Sequence, residues 1–199
     1  MSFTLDTTED IGGSAGEKYL TEPGTYHCVV VSVDEGKGPK GNPINGFTAE
    51  LAVLDGTVAG QKDRETSVTF FSPDASKSEA SQEWNRKKQT AFAIATGLLD
   101  LAKLGSKVEI DLQEAVGRQL VIQLAHADDD KKFLQINYAN IYHVDDPRAE
   151  KFPKSKEGLA IVPKELRKPA EYFAPLQKKS GGANGKSESR LSQDDLSDL

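Results

Sequence analysis

A chain of 199 residues can bury a real core in one domain, but 37% hydrophobic and 7% aromatic side chains leave part of it outside that core. One cysteine excludes an internal disulfide framework, and no apolar run or N-terminal signal pattern points to a membrane, so a soluble cytoplasmic protein is expected. The net charge of -6 is segregated: residues 147–191 carry eleven basic side chains against five acidic, while 1–23, 24–146 and 192–199 are each net acidic.

Residues 1–23 read as an acidic arm with Phe3, Leu5, Ile11, Tyr19 and Leu20 as its apolar anchors. Residues 26–33 predict a first strand that is apolar on both faces, Tyr26, Cys28 and Val30 on one and Val29, Val31 and Val33 on the other, and therefore central. Cys28 in that strand is a small buried hydrophobe, not a reactive thiol. The glycines of 36–41, GKGPKG, have the spacing of a dinucleotide fingerprint. That fingerprint needs a helix to start at the glycines, whereas Pro39, Pro43 and Asn45-Gly46 lead into another strand. The expectation is a mobile connection that presents Lys37 and Lys40.

Residues 46–71 read as two strands around a glycine-punctuated turn, with Phe47, Ala49, Leu51 and Val53 alternating with Thr48 and Glu50. Lys62 and Arg64 sit at the turn end. Phe70 and Phe71 point to opposite faces, so one belongs to the core and Phe71 is offered as a platform for a base. A helix follows, with Ser81 as its N-cap and Trp84, Ala91, Phe92, Ala95, Leu98 and Leu99 as its apolar stripe. Trp84 is read as a core anchor and Arg86, Lys87 and Lys88 as solvated. Asp111 and Glu114 have capping-box spacing for a short helix over 111–116, which Gly117 stops. Strands over 119–125 and 132–144 form a second hairpin, with Lys131 and Lys132 at its turn.

From Pro147 the chain is basic and interrupted by prolines, and it is expected to clip onto the domain or onto a partner. Residues 178–199 are a Gly/Ser linker ending in an acidic tail, Asp194, Asp195, Leu196, Asp198 and Leu199. The segments are thus 1–23 arm, 24–146 domain, 147–177 extension, and 178–199 linker and tail.

Three strands, a helix and two strands is the element order of a mainly β, five-stranded OB barrel whose helix caps the barrel between the third and fourth strands. Ligands on that architecture cross the second and third strands, between the loops joining strands one to two and four to five. Lys37, Lys40, Lys62, Arg64, Lys131 and Lys132 fall near these places. The segments GTYHCVVVSVDEGKGPKGNP (24–43), ELAVLDGTVAGQK (50–62) and AVGRQLVIQL (115–124) resemble phage proteins long catalogued as a domain of unknown function and regarded as OB-fold single-stranded DNA-binding proteins. The resemblance implies a role in phage or prophage DNA replication or recombination, in the host cytoplasm. The C-terminal tail resembles those of single-stranded DNA-binding proteins, with Leu199 where an aromatic residue is usual, and implies recruitment of replication or recombination partners.

Catalytic signatures are lacking: there is no nucleophile elbow, Walker-type phosphate loop or Cys/His pairing, so an enzyme is not expected. His126 near Asp128, and His143 near Asp145 and Asp146, read as solvated polar groups, so neither a metal nor a cofactor is expected. The function expected is non-sequence-specific binding of single-stranded DNA, with phosphates tracked by the six cations and bases stacked on Phe71, and on Tyr138 or Tyr142 as further candidates. The alternative is an OB-fold protein-interaction or virion structural module without nucleic-acid binding. Self-association into a homo-oligomer stays open.

Overall fold

The computed structural model describes residues 18–38, 41–126 and 134–180. Five strands form one antiparallel sheet: β1 (Gly24–Lys37), β2 (Pro43–Gly56), β3 (Glu65–Phe71), β4 (Gln119–His126) and β5 (Leu134–His143), in the spatial order β3-β2-β1-β4-β5. Helix α1 (Glu79–Ala95) comes between β3 and β4. The alternation in β2 acts as expected: Phe47, Ala49, Leu51 and Val53 are all buried on the inner face. There Phe47 stacks on Phe70 at 4.7 Å, and Phe92 of α1 closes the triad at 4.8 Å from Phe70.

β1 departs from its expected pattern. The pairing Val30↔Leu51 is followed by Ser32↔Glu50, so one residue is inserted at Val31. A bulge of this kind reverses the parity of everything beyond it. Val33 therefore joins Tyr26, Cys28 and Val30 inside, and Val31 is left half exposed. The glycine-rich stretch is also more regular than expected. β1 runs out to Lys37, which pairs with Pro43, so the two strands form a ribbon whose turn includes a Gly38 N–H to Asn42 carbonyl bond. Gly46 (φ +151) is a close-approach site, since a Cβ there would run into the Phe70 carbonyl.

The N-cap of α1 is Ser78, not Ser81. The Ser78 hydroxyl accepts the Ser81 N–H at 3.2 Å, which moves the helix start three residues earlier along a run of similar polar residues. Trp84 is a half-buried edge contact of Tyr138 at 4.9 Å, not a core anchor. Lys88 is not solvated: its ammonium donates to the Thr69 carbonyl at 2.9 Å and lies over the Phe70 ring. Burial pulls its pKa down to about 8. The segment after Asp111 is a 3-10 turn, Leu112–Ala115. Asp111 caps it through the Gln113 N–H, while Glu114 pairs with Arg118 at 3.1 Å instead of closing a capping box.

Both sheet edges are managed by α1. Gln89 donates to the Phe71 carbonyl and Lys88 to that of Thr69, which satisfies outward acceptors of β3. On the opposite edge Trp84 meets Tyr138 of β5, and the Lys87 ammonium lies 5.5 Å from the same ring. The start of β3 is covered by the Leu20 N–H, which bonds the Glu65 carbonyl at 2.9 Å. Of the arm, Leu20 is buried as the apolar anchor expected, whereas Tyr19 is held by its backbone at Glu65 and its ring is exposed; residues 1–17 lie outside the described residues.

The extension packs on the domain as a strap. It contains the short helix α2 (Lys156–Ala160), and after several turns it ends in α3 (Ala174–Ser180). Ala149 and Phe152 pack on Val121 and Tyr142, on the outer face of β4 and β5. Phe173 is fully buried against Ala93, Ile94, Leu99 and Leu101. Among the described residues no helix is long and apolar enough to cross a membrane.

Candidate nucleic-acid interface

The sheet's outer face divides in two. Around His27 of β1, Gln119 and Val121 of β4 and Tyr142 of β5 the strap covers it, whereas Ala125 and Gln135 at the other end of the β4–β5 pair are exposed. His27, fully buried, accepts the Ser155 N–H on Nδ1 at 3.0 Å and pairs through Nε2 with Gln119 Oε1 at 2.9 Å. The Gln119 amide in turn donates to the Gly158 carbonyl at 2.8 Å. Asp145 takes a second strap contact, accepting Arg167 Nε and the Lys168 N–H, both at 2.9 Å. Although burial opposes its charge, the Arg167 and Lys168 bonds win and hold its carboxyl below the usual range. The buried Asp146 carboxylate is bound by Arg148 at 2.6 Å.

Over β2 and β3 the outer face is open. The pairs are Thr48↔Thr69, whose hydroxyls lie 3.3 Å apart, then Glu50↔Ser67 and Ala52↔Glu65. Thr69, Glu50, Ala52 and Glu65 are partly exposed and Ser67 is exposed, while Thr48 is buried. Asp34 and Ser32 of β1 extend this face, and half-exposed Val31 borders it. Phe71 ends β3 opposite Gly46 and is partly exposed, whereas Phe70 is buried; this is the expected division of the pair. Gly46 and Ser72 also line an open groove of about 390 Å³ floored by Phe47, Ala93, Leu99, Val108 and Ile110, with Glu35 and Gln89 at its rim.

The three predicted cations among the described residues, Lys37, Lys62 and Arg64, do not gather at one place. Lys37 is exposed at the ribbon end of β1, whereas Lys62 and Arg64 lie toward the other end of β2, where the Arg64 carbonyl accepts the Val53 N–H, about 33 Å of extended strand away. Lys62 is exposed in the β2–β3 turn. Arg64 is engaged in the fold: its guanidinium donates to the Gly60 carbonyl at 3.2 Å and the Tyr19 carbonyl at 3.1 Å, tying the arm to the turn. Lys40, Lys131 and Lys132 lie outside the described residues, as do Asp194, Asp195, Leu196, Asp198 and Leu199. Of the two further stacking candidates, Tyr138 is held by Trp84, and Tyr142 packs under the strap against Phe152 and Arg148.

His143 is not the solvated group expected. It is buried against Phe173, and its Nδ1 accepts the Asp145 N–H at 3.1 Å; burial lowers its pKa. Among the described residues no group of three or more His, Cys, Asp and Glu is placed to hold a metal ion. Sequence reasoning missed the His27–Gln119–Ser155 junction. The available signal was a histidine and a glutamine next to the apolar runs of β1 and β4, and their partner Ser155 lies more than a hundred residues away from His27.

A family model described as "Protein of unknown function (DUF669)" matches residues 8–149. No curated protein matches the chain. The family match ends within the turn that opens the strap, so residues 150–199 lie beyond it.

Proposed function

The chain belongs to the DUF669 family, and we propose that it binds single-stranded DNA without sequence preference on the outer face of β2 and β3. The sheet is read as an OB-type barrel in which α1 spans the gap between the edge strands β3 and β5. The contacts of α1 with Thr69, Phe71 and Tyr138 support that reading, because one helix touching both edges requires the sheet to curl. The observation that carries the functional reading is the division of the outer face. The strap covers the part of β1, β4 and β5 around His27, Val121 and Tyr142 and leaves open most of the outer face of β2 and β3, the strands across which OB folds take oligonucleotides.

Phe71 supplies the π-face at one end of this surface, and Lys37 and Lys62 supply cations at its two ends. Lys40, Lys131 and Lys132, which lie outside the described residues, are the further cations of the proposed set. The resemblance of 24–43, 50–62 and 115–124 supports a setting in phage DNA replication or recombination, with the acidic tail as a handle for partners. On this reading the protein binds and protects; it does not catalyse.

A second reading, a protein-interaction module, is favoured by Asp34 and Glu50 on the open face, since carboxylates there repel phosphates. Fluorescence anisotropy with labelled oligothymidine and with duplex of equal length separates the two. The proposed function predicts micromolar or tighter binding to the single strand, much weaker binding to duplex, and affinity that falls steeply with salt. No binding, or equal binding to duplex, would overturn it in favour of the second reading.

A further inference from the structure

His27 is a titratable group at one of the anchors that hold the strap on the sheet. Its imidazole is fully buried between β1 and the strap, and both ring nitrogens are committed. Nδ1 must be unprotonated, because it faces the Ser155 N–H. Nε2 then carries the proton and donates to Gln119 Oε1, which orients the Gln119 amide toward the Gly158 carbonyl. The arrangement therefore requires the neutral ring in one tautomer. A second proton on Nδ1 would set donor against donor at Ser155, the residue that caps α2 by accepting the Gly158 N–H on its hydroxyl.

The charged groups facing the ring come from two elements. Lys154 of the strap disfavours a proton and Asp55 of β2 favours it, while β4 contributes the neutral Gln119. We propose that residues 147–177 form a proton-sensitive cover, held over the outer face of β1, β4 and β5 in part by neutral His27 and loosened when that ring is protonated.

Burial lowers the His27 pKa in the closed state, whereas a released ring titrates near the ordinary value of about 6.5. The open form then binds more protons between those two values. Closure is fully supported above about 6.5 and weakens, by at most tenfold per pH unit for one proton, as pH falls toward the lowered closed-state pKa. Loosening uncovers Val121 and Tyr142, an apolar strip on β4 and β5 that β1 separates from the β2–β3 face. The proposal concerns closure of the strap and stands whether or not the open face binds DNA.

Hydrogen exchange of the full chain between pH 7.5 and 5.0, corrected for intrinsic exchange rates, tests it. Amides of Ser155, Gly158 and Leu159 should lose protection progressively below pH 6.5, while those of Ala49 and Val53 keep theirs. In His27→Gln the strap amides should no longer respond to pH. As a check that needs no variant, ring ¹⁵N spectra of the unmodified protein should show His27 as the Nε2–H tautomer at pH 7.5, titrating together with the loss of strap protection. Constant strap protection down to pH 5.0, or loss that follows the His143 ring and not His27, would overturn the proposal.

Discussion

The two halves of the sheet share one inner core and differ on the outside. Under β2 and β3 the inner face is filled by Phe47, Phe70 and Phe92, while the outer face carries hydroxyls, short side chains and two carboxylates open to water. Over β4 and β5 the outer face is itself apolar, Val121 and Tyr142, and is packed by Ala149 and Phe152. An antiparallel sheet tolerates water on one face only where that face is polar. The strap is therefore a requirement of the β4–β5 sequence, and the open face of β2 and β3 is available for another partner.

Substitutions can break this contrast at points of decreasing cost. The inner triad serves the whole sheet, so Phe92→Ala should cost about 3–5 kcal/mol of unfolding free energy, measured by urea denaturation. Next comes the sealed half: Arg148→Ala strands the buried Asp146 carboxylate and should cost about 2–3 kcal/mol, at the low end for a broken pair because Arg148 keeps some solvent contact. On the open half Phe71→Ala should cost only about 1 kcal/mol of stability. The same change should weaken oligothymidine binding about tenfold, the loss of one base-stacking platform.

A pH-dependent effect lies at the β3 edge. Lys88 is held at a pKa of about 8 by burial, below its unfolded value of about 10.4. The unfolded chain binds more protons between these values, so stability should rise as pH goes from about 8 to 10.4. In Lys88→Met that rise should be missing from the urea midpoints.

The open half was the more legible in sequence, because its determinants are local. The two-residue period of β2, the opposed Phe70 and Phe71, and the glycine-marked turn each follow from neighbours along the chain. The order of strands and helix followed from the same patterns. What stayed hidden depends on long-range geometry. The bulge at Val31 has no mark in a run of three valines, yet it moves Val33 inside and Val31 out. Lys88 looked like one of three solvated helix cations until the fold brought the edge of β3 against it. The strap's anchors, His27 with Ser155 and Asp145 with Arg167, join residues with no sequence relation.

The central claim is that the open β2–β3 face, and not the strap, is where single strands lie. Mapping backbone amide shifts while oligothymidine is added to the ¹⁵N-labelled protein tests this most directly. The account predicts shifts for Thr48, Glu50, Ser67, Thr69 and Phe71 and for Lys37 at the ribbon end, with Gln119, Val121 and Tyr142 under the strap unchanged. Shifts confined to residues 147–177, or none at saturating oligonucleotide, would contradict it.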